Sequence, residues 1–255
     1  MTDVASAPRQ GRFSIGAALQ GSFAVLFRNI GSFVLTTAII CIPVIVLSLA
    51  IGGGWNVEAE PTVTDILLIL LLVVLSLLTY LATTAAVTYG TVQDLRGRRA
   101  GIGDIMSHTI AALLSALGVA VLATLIALAG SILLVVPGII AMCMLYVALP
   151  VAVVERPGVL GSLRRSRELT KGNRWQIFAL FIVAYVVSSL LQMLGGFANL
   201  AVAGLTDIAI IGELPGLLTT VLSYAWSAVL SAVAYHQLRI AKDGVDAEEI
   251  AAVFD

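Results

Sequence analysis

Arg164, Arg165, Arg167 and Lys171 fall within eight residues, with Arg156 before them and Arg174 after. Guanidinium and ammonium groups gathered on one short segment bind phosphate oxygens. At the edge of an apolar region the phosphates they meet are anionic lipid headgroups, each such charge contributing about 1 kcal/mol. Arg164, Arg165, Arg167, Lys171 and Arg174 are therefore the candidate binding residues, on a basic helix facing lipid. The simpler account is that these charges only orient the chain during insertion. Other chemistry is thin. His108 and His236 are the two histidines, without the carboxylate cluster a metal site needs, and Cys41 and Cys143 sit singly in apolar runs. No His-Glu-x-x-His, Gly-x-Ser-x-Gly, P-loop or Rossmann glycine pattern occurs. The residues point away from an enzyme, call for no cofactor, and suggest membrane lipids and other membrane proteins, not nucleic acid, as partners.

The local signals around the basic segment predict a short helix between two longer ones. Pro157 opens it at the first turn, Gly172 closes it, and Asn173 caps the helix that follows. Leu160, Leu163 and Leu169 give it a narrow apolar face while the rest is basic, the pattern of a helix lying at an anionic membrane surface.

The elements that must carry this segment are spans. Of 255 residues 60% are hydrophobic and 11% charged, against roughly 25% charged in a soluble domain, and mean hydropathy is +1.05. Because every backbone group must be satisfied within a segment that crosses hydrocarbon, a span needs about 20 apolar residues. Such runs occur at Ile30–Ile51, Asp65–Gly90, Leu113–Gly130, Leu133–Val154, Trp175–Leu194 and Leu214–Leu238. No charge interrupts Thr109 to Val154, so a turn must divide that run, at Gly130-Ser131 or else at Pro137-Gly138. The first run starts too late and is too long for a secretory signal.

Charge settles the count. All 14 Lys and Arg lie before span one, between spans two and three, between four and five, or after span six, whereas Glu58, Glu60, Asp65, Asp207 and Glu213 occupy the other loops. Positive charge resists translocation, so six spans put every basic segment and both termini in the cytoplasm. Gly195 to Gly212, rich in Gly and Asn, reads as an external or re-entrant segment. Residues 1–11 read as a disordered tail, 12–240 as one membrane domain and 241–255 as an acidic cytoplasmic tail.

Inside the spans no charged residue occupies the middle, where ion pathways usually place one. Ser223, Ser227 and Ser231 recur every four residues, as do Ala82, Ala86 and Gly90. Such stripes either line a polar path or let helices pack closely, and close packing is the favoured account. A solute path between repeats would gather Thr37, Thr124 and the serine face in one midplane cavity. The repeats in question come from internal similarity: Ile15–Ile39 matches Ile102–Ile126 at nine of 25 positions, and a third copy pairs Leu19 with Leu163, Ser22 with Ser166 and Asn29 with Asn173. Each copy would be a cytoplasmic surface helix (Ser14–Arg28, Gly103–Leu114, Gly158–Lys171) followed by a two-span hairpin. The alternative is chance matching among small apolar residues.

Leu149, Pro150 and Glu155, followed by Ser166, Leu169, Gly172 and Trp175, form a pattern that resembles the membrane-domain family of glycerophosphoryl diester phosphodiesterases and the related YciC-like proteins. The Phe13–Gly31 segment and Pro137-Gly138 are similar to it as well, so the resemblance spans roughly residues 12 to 240. It implies an all-α polytopic bundle. Some members carry an attached phosphodiesterase domain, which is not expected here, so neither that activity nor any catalytic residue carries over. The functional expectation is a non-enzymatic membrane module that organises lipids or partner proteins, with a carrier for a small or lipid-like solute as the alternative.

Overall fold

The computed structural model describes residues 13–52, 62–98, 101–133, 135–205 and 209–243. The expected tail at 1–11, all but the first three residues of the expected tail at 241–255, and Glu58, Glu60 and Asp207 lie outside them. Every element among the described residues is an α-helix: α1 (Ile15–Arg28), α2 (Ile30–Gly52), α3 (Val63–Leu95), α4 (Ile102–Leu133), α5 (Val135–Leu145), α6 (Ala148–Val154), α7 (Val159–Thr170), α8 (Arg174–Ala203) and α9 (Ala209–Asp243). Six spans are long and apolar enough to cross a membrane, with α5 and α6 together forming one of them.

The helix boundaries follow local chemistry. Thr62 and Asp65 form a reciprocal capping box that starts α3, with Asp65 N–H donating to the Thr62 hydroxyl and Thr62 N–H to the carboxylate. In the long apolar run α4 ends at Leu133 and α5 begins at Val135, between the two expected positions of the division, Gly130-Ser131 and Pro137-Gly138. Gly130 and Gly138 serve instead as the close crossing of α4 on α5, since a Cβ on Gly138 would stand 3.0 Å from the Ser131 Cα. The fourth span, expected as one helix, breaks at Tyr146–Val147. Pro150 lacks an N–H, and its ring conflicts with the carbonyl four residues back, that of Tyr146. Much of Gly195 to Gly212, expected as an external or re-entrant segment, is helix: α8 continues to Ala203 and α9 begins at Ala209. α9 also runs three residues into the expected acidic tail.

The last span is the centre. In its apolar window 61% of residues are buried, against 11% for α8. Trp226, Val229, Leu230, Val233, Tyr235 and Leu238 of α9 pack with Ala18 and Val25 of α1, Val87 of α3, Val147, Val151 of α6 and Leu180 of α8. The repeat is visible in this packing. The equivalent positions Ala18, Ile105 and Ser162, then Ser22, Thr109 and Ser166, then Val25, Ala112 and Leu169, are buried in all three copies. α1 lies against α9, the start of α4 against α3, and α7 against α5 and α6, so each copy's first helix rests on the last span of another in cyclic order. Asn29 and Asn173 join short helix to span at nearly the same backbone angles, φ −117°, ψ 17° and φ −118°, ψ 18°. The middle copy departs from expectation: Gly103–Leu114 is not a separate surface helix but the first part of the 32-residue α4. Its counterpart of the two asparagines is Ala116, with no turn beside it.

Candidate functional site

The basic segment is held by the break above it. At Tyr146–Val147 the Met144 carbonyl is released from the helix, and α7 takes it: Ser166 Oγ donates to it at 2.8 Å and Thr170 Oγ1 at 3.3 Å. Arg156 (φ 50°) and Gly158 (φ 79°) turn the chain into α7, and Gly172 (φ 92°) turns it out. A left-handed residue at that closing position is what the sequence expected of Gly172. Pro157 precedes the helix rather than opening it, because Gly158 holds the N-cap position. Asn173 precedes α8, but its side chain makes no capping hydrogen bond, contrary to expectation.

The five candidate cations part company. Arg165 does not face lipid. Its Nε donates to Glu155 Oε2 at 3.1 Å and its terminal nitrogen pairs with Asp243. These two carboxylates, Asp243 first, raise the guanidinium pKa above its ordinary value. Glu155 also accepts from the Tyr235 hydroxyl at 2.9 Å, so α6, α7 and α9 meet in one polar clasp. The expected apolar surface face divides as well: Leu160 is 74% exposed, whereas Leu163 and Leu169 are buried in the protein beside Ser162, Ser166 and Thr170.

The other four stay together. Arg164, Arg167, Lys171 and Arg174, with Glu168, line an open concavity of about 360 Å³. Arg164 carries an exposed pair to Glu168 at 3.1 Å, which contributes little to stability. Arg174 opens α8, and its Nε is buried without an acceptor among the described residues. Four cations beside an N-terminus that no side chain caps make a place for an oxyanion. Chain symmetry makes the site more specific. Gln20, Phe23, Phe27 and Ile30 in the first copy, and Ser107, Ile110 and Leu114 in the second, are exposed at the equivalent positions. The outward face is apolar in two copies and cationic only in the third.

A second concavity, of about 350 Å³, lies where α1 meets α2, lined by Arg28, Asn29, Asp94 and Arg98 among others. Here Arg28 pairs with Asp94, which raises the Arg28 pKa. Sequence reasoning missed this pair, whose members are 66 residues apart. Of the residues expected to line a solute path, Thr37 is buried whereas Thr124 is exposed on the outer surface. They do not share a lining. The serine stripe of α9 divides as well: Ser227 approaches Ser188 of α8 at 3.4 Å, and Ser231 donates to the Ala228 carbonyl within its own helix. Gly90 of the matching α3 stripe lies under the Phe33 ring, where a Cβ would come within 2.8 Å of it. That contact is the close packing the small residues suggested.

Six apolar spans, short amphipathic helices at one end and a cationic concavity define an all-helical, multi-pass membrane protein. The chain belongs to the family described as Domain of unknown function (DUF7847), whose model matches residues 99–238. That stretch runs from α4 to near the end of α9 and contains the whole concavity. No curated protein and no solved structure matches the chain.

Proposed function

We propose that this protein is a non-enzymatic module of the bacterial inner membrane, both termini cytoplasmic, that organises anionic lipid around itself. The observation that carries the reading is the concavity in which Arg164, Arg167, Lys171 and Arg174 converge on one opening. Charges needed only for orientation would satisfy the topology rule anywhere in the loop. The exposed apolar faces of α1 and α4 set the level of the equivalent face of α7 at the boundary between headgroups and acyl chains. The resemblance to phosphodiesterase membrane domains is part of the same reading, as a membrane domain acting without catalysis. Separation of Thr37 from Thr124 weighs against a carrier.

The triple change Arg164→Gln, Arg167→Gln and Lys171→Gln tests it, because Arg156, Arg165 and Arg174 still hold the loop on its side. At about 1 kcal/mol per charge, less what Glu168 already neutralises, the loss is roughly 2–3 kcal/mol, or about 30- to 150-fold in affinity for anionic lipid. Native mass spectrometry of nanodisc-released protein reads this directly. If the variant inserts normally and keeps the same anionic lipids, docking is wrong and the charges serve orientation alone.

A further inference from the structure

Arg174, Phe178 and Phe181 follow one another at helical spacing along one face of α8. Phe178 and Phe181, with Ile139, Met142, Cys143 and Tyr146 of the fourth span, line a narrow apolar crevice of about 30 Å³. Its rim residues Ile139 and Met142 are 36% and 44% exposed, while Cys143 is buried, so it opens on the outer surface and narrows inward. An apolar crevice of this size does not hold a water that needs two to four polar partners. It suits a methylene chain. α5 lies against both α7 and α8, and Phe178 of the crevice follows Arg174 of the cationic concavity by about one helical turn on α8.

We infer that concavity and crevice are a single lipid site, in which Arg164, Arg167, Lys171 and Arg174 hold the phosphate of one anionic phospholipid whose acyl chain lies between α5 and α8. This rests on the lipid-binding reading above and adds a fixed place, a fixed orientation and a stoichiometry of one per chain. Arg174 lines the concavity and stands one helical turn before Phe178 of the crevice, so its guanidinium holds the phosphate on the side from which the chain enters. The positions equivalent to the four cations carry none in the first two copies, and where α1 meets α2 Arg28 is already paired with Asp94, so one molecule per chain is expected. Because both halves must be filled, the ligand is a membrane lipid and not a soluble phosphate.

The test uses the full chain in phosphatidylcholine nanodiscs doped with phosphatidylglycerol carrying a photoreactive group midway along one acyl chain. Crosslinks are expected to concentrate on Met142, Cys143, Phe178 and Phe181, at one phosphatidylglycerol per chain. Ile139→Trp fills the crevice from its rim and leaves every cation in place. It should weaken retention about tenfold, the loss of roughly two buried methylenes. Phe181→Ala, which widens the crevice, should instead shift crosslinks away from Met142 and guards against misfolding of the first variant. Inorganic phosphate at millimolar concentration should not displace the lipid. If Ile139→Trp binds like the parent, if crosslinks spread evenly over the outer faces of α2, α4 and α8, or if phosphate competes, the crevice is no part of the site. The headgroup reading then survives as long as the triple Gln variant still loses lipid; if it does not, both fall.

Discussion

Replacing Glu155 by Ala should destabilise the protein more than any other single carboxylate change on its basic side. The Glu155 carboxylate accepts from Tyr235 at 2.9 Å and from Arg165 at 3.1 Å, and its side chain is 22% exposed. Removing it leaves the phenol of Tyr235, a residue only 1% exposed, without that acceptor, and leaves Arg165 with Asp243 alone. A hydrogen bond to a charged group contributes about 1.5–3 kcal/mol, and breaking a fully buried ion pair costs roughly 3–5 kcal/mol. Partial exposure places this site below that upper range, at about 2–4 kcal/mol. Tyr235→Phe removes one of the two bonds and should cost about 1–2 kcal/mol. Glu168→Gln is the control: its pair with Arg164 is exposed, and its loss should cost about 0.5 kcal/mol or less. Thermal scans of membrane proteins are often irreversible, so the comparison calls for an equilibrium method such as steric trapping in bicelles. A double-mutant cycle between Tyr235→Phe and Glu155→Ala should show coupling of about 1 kcal/mol. Equal stability of Glu155→Ala and Glu168→Gln would refute the clasp, and with it the reason Arg165 turns inward while its neighbours turn out.

Reporters fused after Arg99 and Arg167 should read as cytoplasmic and one fused after Asp207 as external; an external reading at Arg167 would end the six-span arrangement. Gly138→Leu should prevent α4 and α5 from closing, since even a Cβ there meets Ser131 backbone at 3.0 Å, and over-packing costs about 1–3 kcal/mol; loss of folded protein by size-exclusion chromatography checks it. Ser166→Ala should cost about 1 kcal/mol in the parent but close to nothing in a Pro150→Ala background, where the Met144 carbonyl can return to its own helix. Lipid retention by the parent should fall as salt rises from low to physiological strength, because the concavity is open to solvent; a salt-independent value would show that its cations take no part.

What the sequence displayed and what it concealed divide along one physical line. Span number depends on composition over some 20 residues, and the six long apolar helices are there in the structure. So is the basic segment as a short helix closed at Gly172, because the signal for it is local. Arg165 could not be told from Arg164 by any local rule, since the difference lies in Glu155 and in Asp243, 78 residues away. Leu163 and Leu169 turn into the protein for a similar reason: α7 packs on α4, α5, α6 and α9, and the bonds of Ser166 and Thr170 to the Met144 carbonyl fix which face it presents to them. The fusion of the middle surface helix into α4 turns on Ala116 standing where the other copies have Asn29 and Asn173. That contrast was legible from the repeat alignment itself.

The interrupted fourth span has a consequence for the order in which the protein is made. A membrane helix ordinarily leaves the ribosome with its backbone bonding complete, which is why it can partition into lipid alone. This one does not. α5 ends at Leu145, so the Met144 carbonyl is among the last four with no partner inside that helix, and the hydroxyls that donate to it belong to Ser166 and Thr170, residues not yet synthesised when the span is finished. Until they arrive, that oxygen carries the penalty of an unmet polar group, about 1–3 kcal/mol. A nascent chain halted near residue 160 should therefore insert its fourth span less firmly than one halted after residue 172, and a pulling-force assay on the translocon would register the difference. The third copy is thus needed before the second can settle.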